Sequence, residues 1–213
     1  MVKVLIACEF SGTVRDAFIR QGHDAVSCDL IPTESYFGTH YQGDIMDIIN
    51  DGWDIMIAHP PCTYLAVSGS SWYYHPDDKH LPKEQKRPHP LYPNRRKDQE
   101  LAKEFFMDLI NANIPKIAVE NPIGVMSTHY RKPDQIVHPY MFGQEASKPT
   151  CLWLKNLPNL IPTNIVGKGE FKTSKSGKRG AVWNWWLPPG PERAKIRSKT
   201  FQGIADAMAE QWG

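Results

Sequence analysis

Short apolar runs that each stop at a turn bearing an acid, an amide or a thiol constrain this chain more than any other feature. Residues 2–7 lead into Glu9-Phe10-Ser11-Gly12-Thr13, residues 25–28 end at Asp29, and residues 53–58 run straight into His59-Pro60-Pro61-Cys62. Residues 117–119 end at Glu120-Asn121-Pro122, and residues 150–155 form a later run. Between them the period changes. Val14, Ala17 and Phe18 recur at helical spacing up to Gly22, and Leu101, Phe105, Leu109 and Ala112 do so within 97–112, where they are expected to share one face. Residues 45–49 predict a short helix after a polar, turn-rich stretch. Strands alternating with helices predict an open, mainly parallel α/β sheet with helices on both faces. In such sheets ligands bind at the carboxyl ends of the strands, which is where the polar residues fall.

The chain has 213 residues, enough for a single domain over 1–213. Two segments lack apolar periodicity: residues 68–97, which hold five prolines and three histidines and predict a long loop, and a basic, tryptophan-bearing segment at 164–200. No apolar run approaches the roughly 20 residues of a membrane span, and charge interrupts the N-terminal run at once, so a cytoplasmic protein with no membrane contact is expected. Four cysteines, Cys8, Cys28, Cys62 and Cys151, are widely spaced with no Cys-x-x-Cys pair. Free thiols, three of them buried, are therefore expected, and no metal site.

Gly12 is the lone glycine of the first strand-to-helix turn, so no full Gly-x-Gly-x-x-Gly is present. Asp29 lies about 20 positions beyond the first strand, where an acid suits a ribose diol. Asp44 is placed to accept from an adenine amino group. The competing role for each aspartate is a cap or turn residue. Two prolines fix the backbone ahead of Cys62, and a thiol held at a strand end suits covalent catalysis. A buried, inert cysteine is the alternative. Glu120 can serve as acid or donor toward a ring nitrogen, or simply cap the next turn.

Taken in order, Glu9-Phe10-Ser11-Gly12, Asp29, Asp44, Pro60-Pro61-Cys62 and Glu120-Asn121-Pro122 resemble the motifs of the cytosine-5 DNA methyltransferases. The resemblance implies a Rossmann-like methyltransferase sheet and S-adenosylmethionine as cofactor, held by Glu9, Phe10, Ser11, Gly12, Asp29, Asp44 and Pro60. It makes Cys62 the nucleophile, with Glu120 and Asn121 recognising cytosine, and implies DNA as substrate. Ser68-Gly69 is similar to the family's mobile catalytic loop. Phe201-Gln202-Gly203-Ile204-Ala205 is similar to the last motif, which packs beside the cofactor. The chain departs from the pattern at Thr63, where glutamine is usual, and at Pro122, where a branched residue is usual. It also lacks the arginine-rich motif, with Lys148 and Lys155 alone near its place. About 40 residues separate the 150–155 strand from the final helix. That is too few for the family's recognition domain, so specificity must be weak, differently built, or supplied by a protein partner.

Residues 168–199 carry nine Lys and Arg against Glu170 and Glu192, with Trp183, Trp185 and Trp186 among them. Cations meet phosphates and aromatic faces stack on bases, so Lys175, Lys178, Arg179, Trp185 and Trp186 are expected to bind DNA. The alternative is a solvated loop with its tryptophans in the core. Other functions compatible with the residues are methyl transfer to an exocyclic amino group or to a free cytosine nucleotide, or binding of cofactor or nucleic acid without turnover.

Overall fold

The computed structural model describes residues 1–174, 177, 179–182, 188 and 190–213. Lys175, Lys178, Trp185 and Trp186 lie outside the described residues, and Arg179 is described by its backbone alone. Seven strands form one sheet: β1 (Lys3–Ala7), β2 (Asp24–Asp29), β3 (Thr39–Gln42), β4 (Ile55–Ala58), β5 (Lys116–Pro122), β6 (Gln135–Val137) and β7 (Thr150–Lys155). Their spatial order is β3-β2-β1-β4-β5-β7-β6. The first five run parallel; β7 is antiparallel to both β5 and β6.

The apolar runs are continuous because the sheet is covered on both faces, and successive side chains point to opposite sides. Val4, Ile6, Ile55, Ile57, Ala118 and Leu152 enter one core, beneath α1 (Thr13–Arg20) and a C-terminal helix over Gln202–Trp212. Leu5, Met56, Ile117, Val119 and Trp153 enter the other, beneath α2 (Arg95–Ile110). There Trp153 is wholly buried and stands edge-on to Phe106, ring centroids 5.1 Å apart. Burial of each large side chain of this kind contributes about 1.5–3 kcal/mol. A four-residue helix, α3 (Met126–His129), follows β5. A small hairpin of β8 (Phe171–Thr173) and β9 (Arg179–Ala181) and the helix α4 (Pro191–Ser198) occupy the basic segment; the C-terminal helix is then α5.

The elements depart from the sequence expectations in four places. The polar stretch before Asp44 contains β3, an edge strand too exposed for an apolar pattern. The short helix expected at 45–49 is one 3-10 turn, Ile45–Asp47. Segment 68–97 is not bare loop: 3-10 turns at Val67–Trp72, Pro76–His80 and Lys83–Gln85 fill it before α2 begins at Arg95. On α2 the buried face is Phe106, Leu109 and Ile110, whereas Leu101 is 54% exposed. A strict spacing of four drifts about 40° per step around a helix, so Leu101 rotates out of the core that Leu109 faces.

Helix α5 docks through Gly203, where an added Cβ would lie 1.8 Å from the Phe142 carbonyl oxygen. Gly203→Ala is expected to lower unfolding stability by about 2–3 kcal/mol through overpacking against backbone. Chemical denaturation of the variant beside the wild type checks this. Among the described residues no helix is long and apolar enough to cross a membrane.

Candidate active site at the carboxyl edge of the sheet

The sheet's chain path reverses between β1 and β4, and the crevice at such a switch point is where open α/β sheets bind ligands. At the end of β1 the chain turns sharply. Cys8 takes a left-handed φ of 59°, and Glu9 is turned inward to 4% exposure. Its carboxylate accepts from the Val14 amide at 2.7 Å, the Arg15 amide at 3.2 Å and the Ser11 hydroxyl at 3.2 Å. Gly12, at φ 74°, completes the turn, and a Cβ there would meet the Arg15 guanidinium at 2.5 Å. The free amides at the start of α1 are thus already satisfied by an internal carboxylate.

Asp29 ends β2 and accepts from the Ile31 amide at 3.2 Å; Asp44 caps the next 3-10 turn, accepting from the Met46 amide at 3.0 Å. Both perform the turn role that the sequence left open, and both also bear on one corner. Burial and then Asp29, with Asp44 contributing, push the Cys8 thiol up to about 12 and the Cys28 thiol up to about 11. Cys8, expected to be buried, is partly exposed.

Beyond β4 the His59 amide donates to the Ala7 carbonyl at 2.9 Å, and Asn121 Nδ2 donates to the Pro60 carbonyl at 2.9 Å. Asn121 is 1% exposed; its amide nitrogen holds the Pro-Pro-Cys turn from within, and its Oδ1 has no hydrogen-bond partner among the described residues. Cys62 is exposed on that turn. Glu120 does not lie past its strand, as the sequence suggested, but inside β5. The parallel partner β4 stops at Ala58 opposite Val119, while antiparallel β7 continues the pairing with Leu152 opposite Glu120.

Glu120 meets His59, Nδ1 to Oε2 3.3 Å, with side chains 15% and 7% exposed. Burial pushes the Glu120 carboxyl up. The His59 hydrogen bond, the Lys148 and His59 charges and a Thr150 hydrogen bond outweigh it and leave the group below its ordinary value. The Cys62 thiol moves the opposite way. The protein packed around it, and then the Glu120 charge, raise it against the pull of Lys148 and Arg197. The site therefore rests as a protonated thiol beside an ionised carboxylate. Among the described residues His59 Nε2 and Asn121 Oδ1 are buried without a hydrogen-bond partner.

Helix α4 lies across this edge. Lys195 and Lys199 both pair with Glu34 at 2.5 Å, Lys195 also stands 5.9 Å from the Phe10 ring centroid, and Lys148 Nζ donates to the Arg197 carbonyl at 3.0 Å. A cleft of about 310 Å³ opens between Thr13, Gln144, Ile196 and Phe201. Phe201 also walls a small void of about 10 Å³ beside Glu120, Lys148 and Thr150. Phe201 thus separates the first turn from the Glu120 side.

Of the residues expected to form the site, Pro60, Cys62, Glu120 and Asn121 come together at β4 and β5. Glu9, Phe10, Ser11 and Gly12 form the neighbouring turn, with Asp29 and Asp44 at its outer side. Sequence reasoning passed over His59, Thr150 and Arg197. Only His59 carried a signal, a histidine immediately before a strand-end Pro-Pro. Among the described residues no three His, Cys, Asp or Glu side chains gather to hold a metal ion.

No protein-family model and no curated protein matches the sequence. Among solved structures the chain is similar to an Escherichia coli prophage protein assigned as a DNA modification methyltransferase, with 15% identity and TM-score 0.46 over 78% of this chain and 52% of that one. It is similar to the Entamoeba histolytica methyltransferase EhMeth, with 16% identity and TM-score 0.47 over 78% of this chain and 58% of that one. Spodoptera frugiperda DNMT2 gives 14% identity and TM-score 0.41 over 79% and 55%. The chain spans about half the length of these structures. The architecture is an open, Rossmann-like sheet, mainly parallel with helices on both faces and β7 reversed.

Only Cys62 is exposed among the four thiols. Iodoacetamide applied to the native protein at pH 8 is expected to modify Cys62 first, with Cys28 and Cys151 following only on unfolding. Peptide mass spectrometry over a time course checks the order.

Proposed function

We propose that this chain transfers a methyl group from S-adenosylmethionine to carbon-5 of cytosine in DNA, through a covalent adduct at Cys62. The observation carrying this reading is the juxtaposition at the β4 and β5 ends: an exposed thiol on a Pro-Pro turn, within electrostatic reach of a buried carboxylate that is shifted the other way. The first turn fits the cofactor. A carboxylate fills the start of α1, where dinucleotide folds bind pyrophosphate. The ligand that suits this turn is therefore a nucleoside without phosphates. Asp29 and Asp44 supply acceptors for its hydroxyl and amino groups. When bound, the cofactor supplies a methyl electrophile on a sulfonium.

The resting charges define the first step. Cys62 sulfur bonds to ring carbon-6, the ring π electrons move toward nitrogen-3, and nitrogen-3 takes a proton. The thiol releases one proton and the ring gains one, so ionised Glu120 needs only to relay it. Carbon-5, now electron-rich, takes the methyl group; a base then removes the carbon-5 proton, the carbon-6–sulfur bond breaks to release the thiolate, and nitrogen-3 returns its proton through Glu120, which restores the ring. His59 and Thr150 hold the Glu120 carboxylate from two sides, and Asn121 holds the turn that carries the thiol. A cytosine must leave the duplex stack to reach such a site.

Cys62→Ala is expected to abolish methyl transfer while leaving cofactor affinity near the wild type, as read by labelled-methyl incorporation and calorimetry. Turnover at the wild-type rate would overturn the covalent mechanism. DNA bearing 5-fluorocytosine should trap an adduct on Cys62 and no other cysteine. Asp29→Ala is expected to weaken cofactor binding by about 1.5–3 kcal/mol, the scale of lost charge-assisted hydrogen bonds.

A pH profile tests the relay. His59→Leu removes a hydrogen bond that favours the ionised carboxylate, so the Glu120 pKa rises and the acidic limb of kcat/KM moves to higher pH. The rate should also fall about 100-fold, at the lower end of acid–base contributions. His59→Asn, which can still donate to Glu120, should leave the limb near its original place.

A further inference from the structure

Between Cys62 and α2 the chain forms a structured platform of rings and cations that the proposed chemistry does not use. Its foundation is Arg95, 9% exposed, in the first turn of α2. The guanidinium donates to the Thr63 carbonyl at 2.7 Å, one residue from the thiol. It lies 5.1 Å from the Tyr64 ring, 5.1 Å from Tyr73 and 5.9 Å from Tyr92. Gly69 packs so closely that a Cβ there would come 2.5 Å from the same guanidinium. Tyr73 donates its hydroxyl to the Tyr64 carbonyl at 2.5 Å, and Gln99 donates to that carbonyl at 3.0 Å. Arg87 clamps the buried Asp78 with both its Nε and its Nη2, and the His75 amide donates to the Arg87 carbonyl. The segment is held rigidly from below.

Its outer surface differs in character. Trp72 and Tyr92 are 42% and 46% exposed and stand edge-on to each other at 5.5 Å, with His89 5.1 Å from Trp72. Beside them Tyr74 lies between Lys86 and Arg96, at 5.6 and 5.4 Å. Residues 68–97 hold seven Lys and Arg against three Asp and Glu, a charge of +4 in a chain whose total is +2. One of those acids, Asp78, is consumed by Arg87, and Arg95 has no carboxylate partner among the described residues.

We infer that this platform binds an unpaired nucleic-acid strand running past Cys62, with a base stacked on Trp72 and phosphates near Lys86 and Arg96. The inference rests on the proposed methyl transfer only for the identity of the base delivered to Cys62. Ring faces stack on bases whose own faces are open, whereas a duplex covers them and offers edges and phosphates. Trp72 and Lys86 stand on or beside 3-10 turns and not on a long helix or ribbon that a groove would take.

Fluorescence anisotropy with labelled 12-nucleotide cytosine-containing strands of DNA and RNA, and with the corresponding DNA duplex, across a series of salt concentrations tests this. The wild type should bind one of the single strands at least about 10-fold tighter than the duplex, and the stronger of the two identifies the sugar. Trp72→Leu should weaken strand binding about 10-fold, with Trp72→Phe within about 3-fold of the wild type, in keeping with ring stacking. Replacing Lys86 and Arg96 together by Gln should flatten the log–log salt slope by about 1.4, two phosphate contacts on a single strand. Melting temperatures of each variant separate lost folding from lost binding; should Trp72→Leu fail to fold, the charge variant decides. Equal or tighter duplex binding, wild-type affinity in a folded Trp72→Leu, or an unchanged salt slope overturns the platform. Strand binding with these responses but no methyl transfer to any oligonucleotide leaves the platform standing and removes the methyl-transfer reading. Transfer to duplex DNA unaffected by Trp72→Leu does the reverse.

Discussion

A parallel strand that stops at the edge of a sheet must hand its last carbonyl to a neighbour or to water, and at this edge the handover is internal. The Glu9 amide donates to the Cys28 carbonyl at 3.0 Å, the His59 amide to Ala7 at 2.9 Å, and the Gly43 amide to Asp29 at 3.0 Å. Each strand's continuation is thereby stitched to the strand beside it for one further residue. The residues proposed to act chemically are those at or next to the stitches. Their backbones are as fixed as the sheet, although they stand in turns. The Asn121 bond to Pro60 extends the same logic from backbone to side chain, and Cys62 inherits its position from it.

The two ionisable groups at the candidate centre differ in how they are supported. Glu120 sits on a strand carried onward by β7 after the parallel sheet has ended, so a buried carboxylate rests on a paired backbone. Four influences from three directions, through His59, Lys148 and Thr150, offset its burial. At Cys62 burial and the same Glu120 charge outweigh the pull of Lys148 and Arg197 and work against ionisation. The thiol, and not the thiolate, is therefore the resting form there. Lys148 favours the ionised form of both groups while bonding α4 through the Arg197 carbonyl. The covering helix and the charge state of the centre are therefore physically linked.

Much of the sheet was legible in the sequence because strands buried on both faces write unbroken apolar runs. The turns after them stood out because prolines, glycine and acids have few other reasons to cluster there. Legibility failed where burial was one-sided or the partner was distant. β3, Thr-His-Tyr-Gln, is a sheet edge with nothing apolar to mark it. Glu120 reads as a strand end because nothing near it reveals β7, paired from 32 residues further along. His59 and Glu120 are 61 residues apart, and only the parallel register of β4 on β5 brings them within a hydrogen bond. Asn121 reads as a recognition residue by its neighbour, and nothing local reveals that its amide nitrogen also holds the Pro60 carbonyl 61 residues away. Arg95 lies in the 68–97 segment that reads as loop, and nothing local separates it from Arg96.

The carboxylate of Glu9 at the start of α1 also bears on life in a crowded cell. Adenine nucleotides share their adenosine half with S-adenosylmethionine, and folds of this class usually receive their phosphates at that helix end. Here the amides of Val14 and Arg15 are taken, and a phosphate arriving beside them would meet a fixed negative charge turned away from solvent. Under the proposed reading, that one side chain acts as a filter. It lets the adenosine portion be recognised while keeping ATP and its relatives, which compete by mass action, out of the crevice.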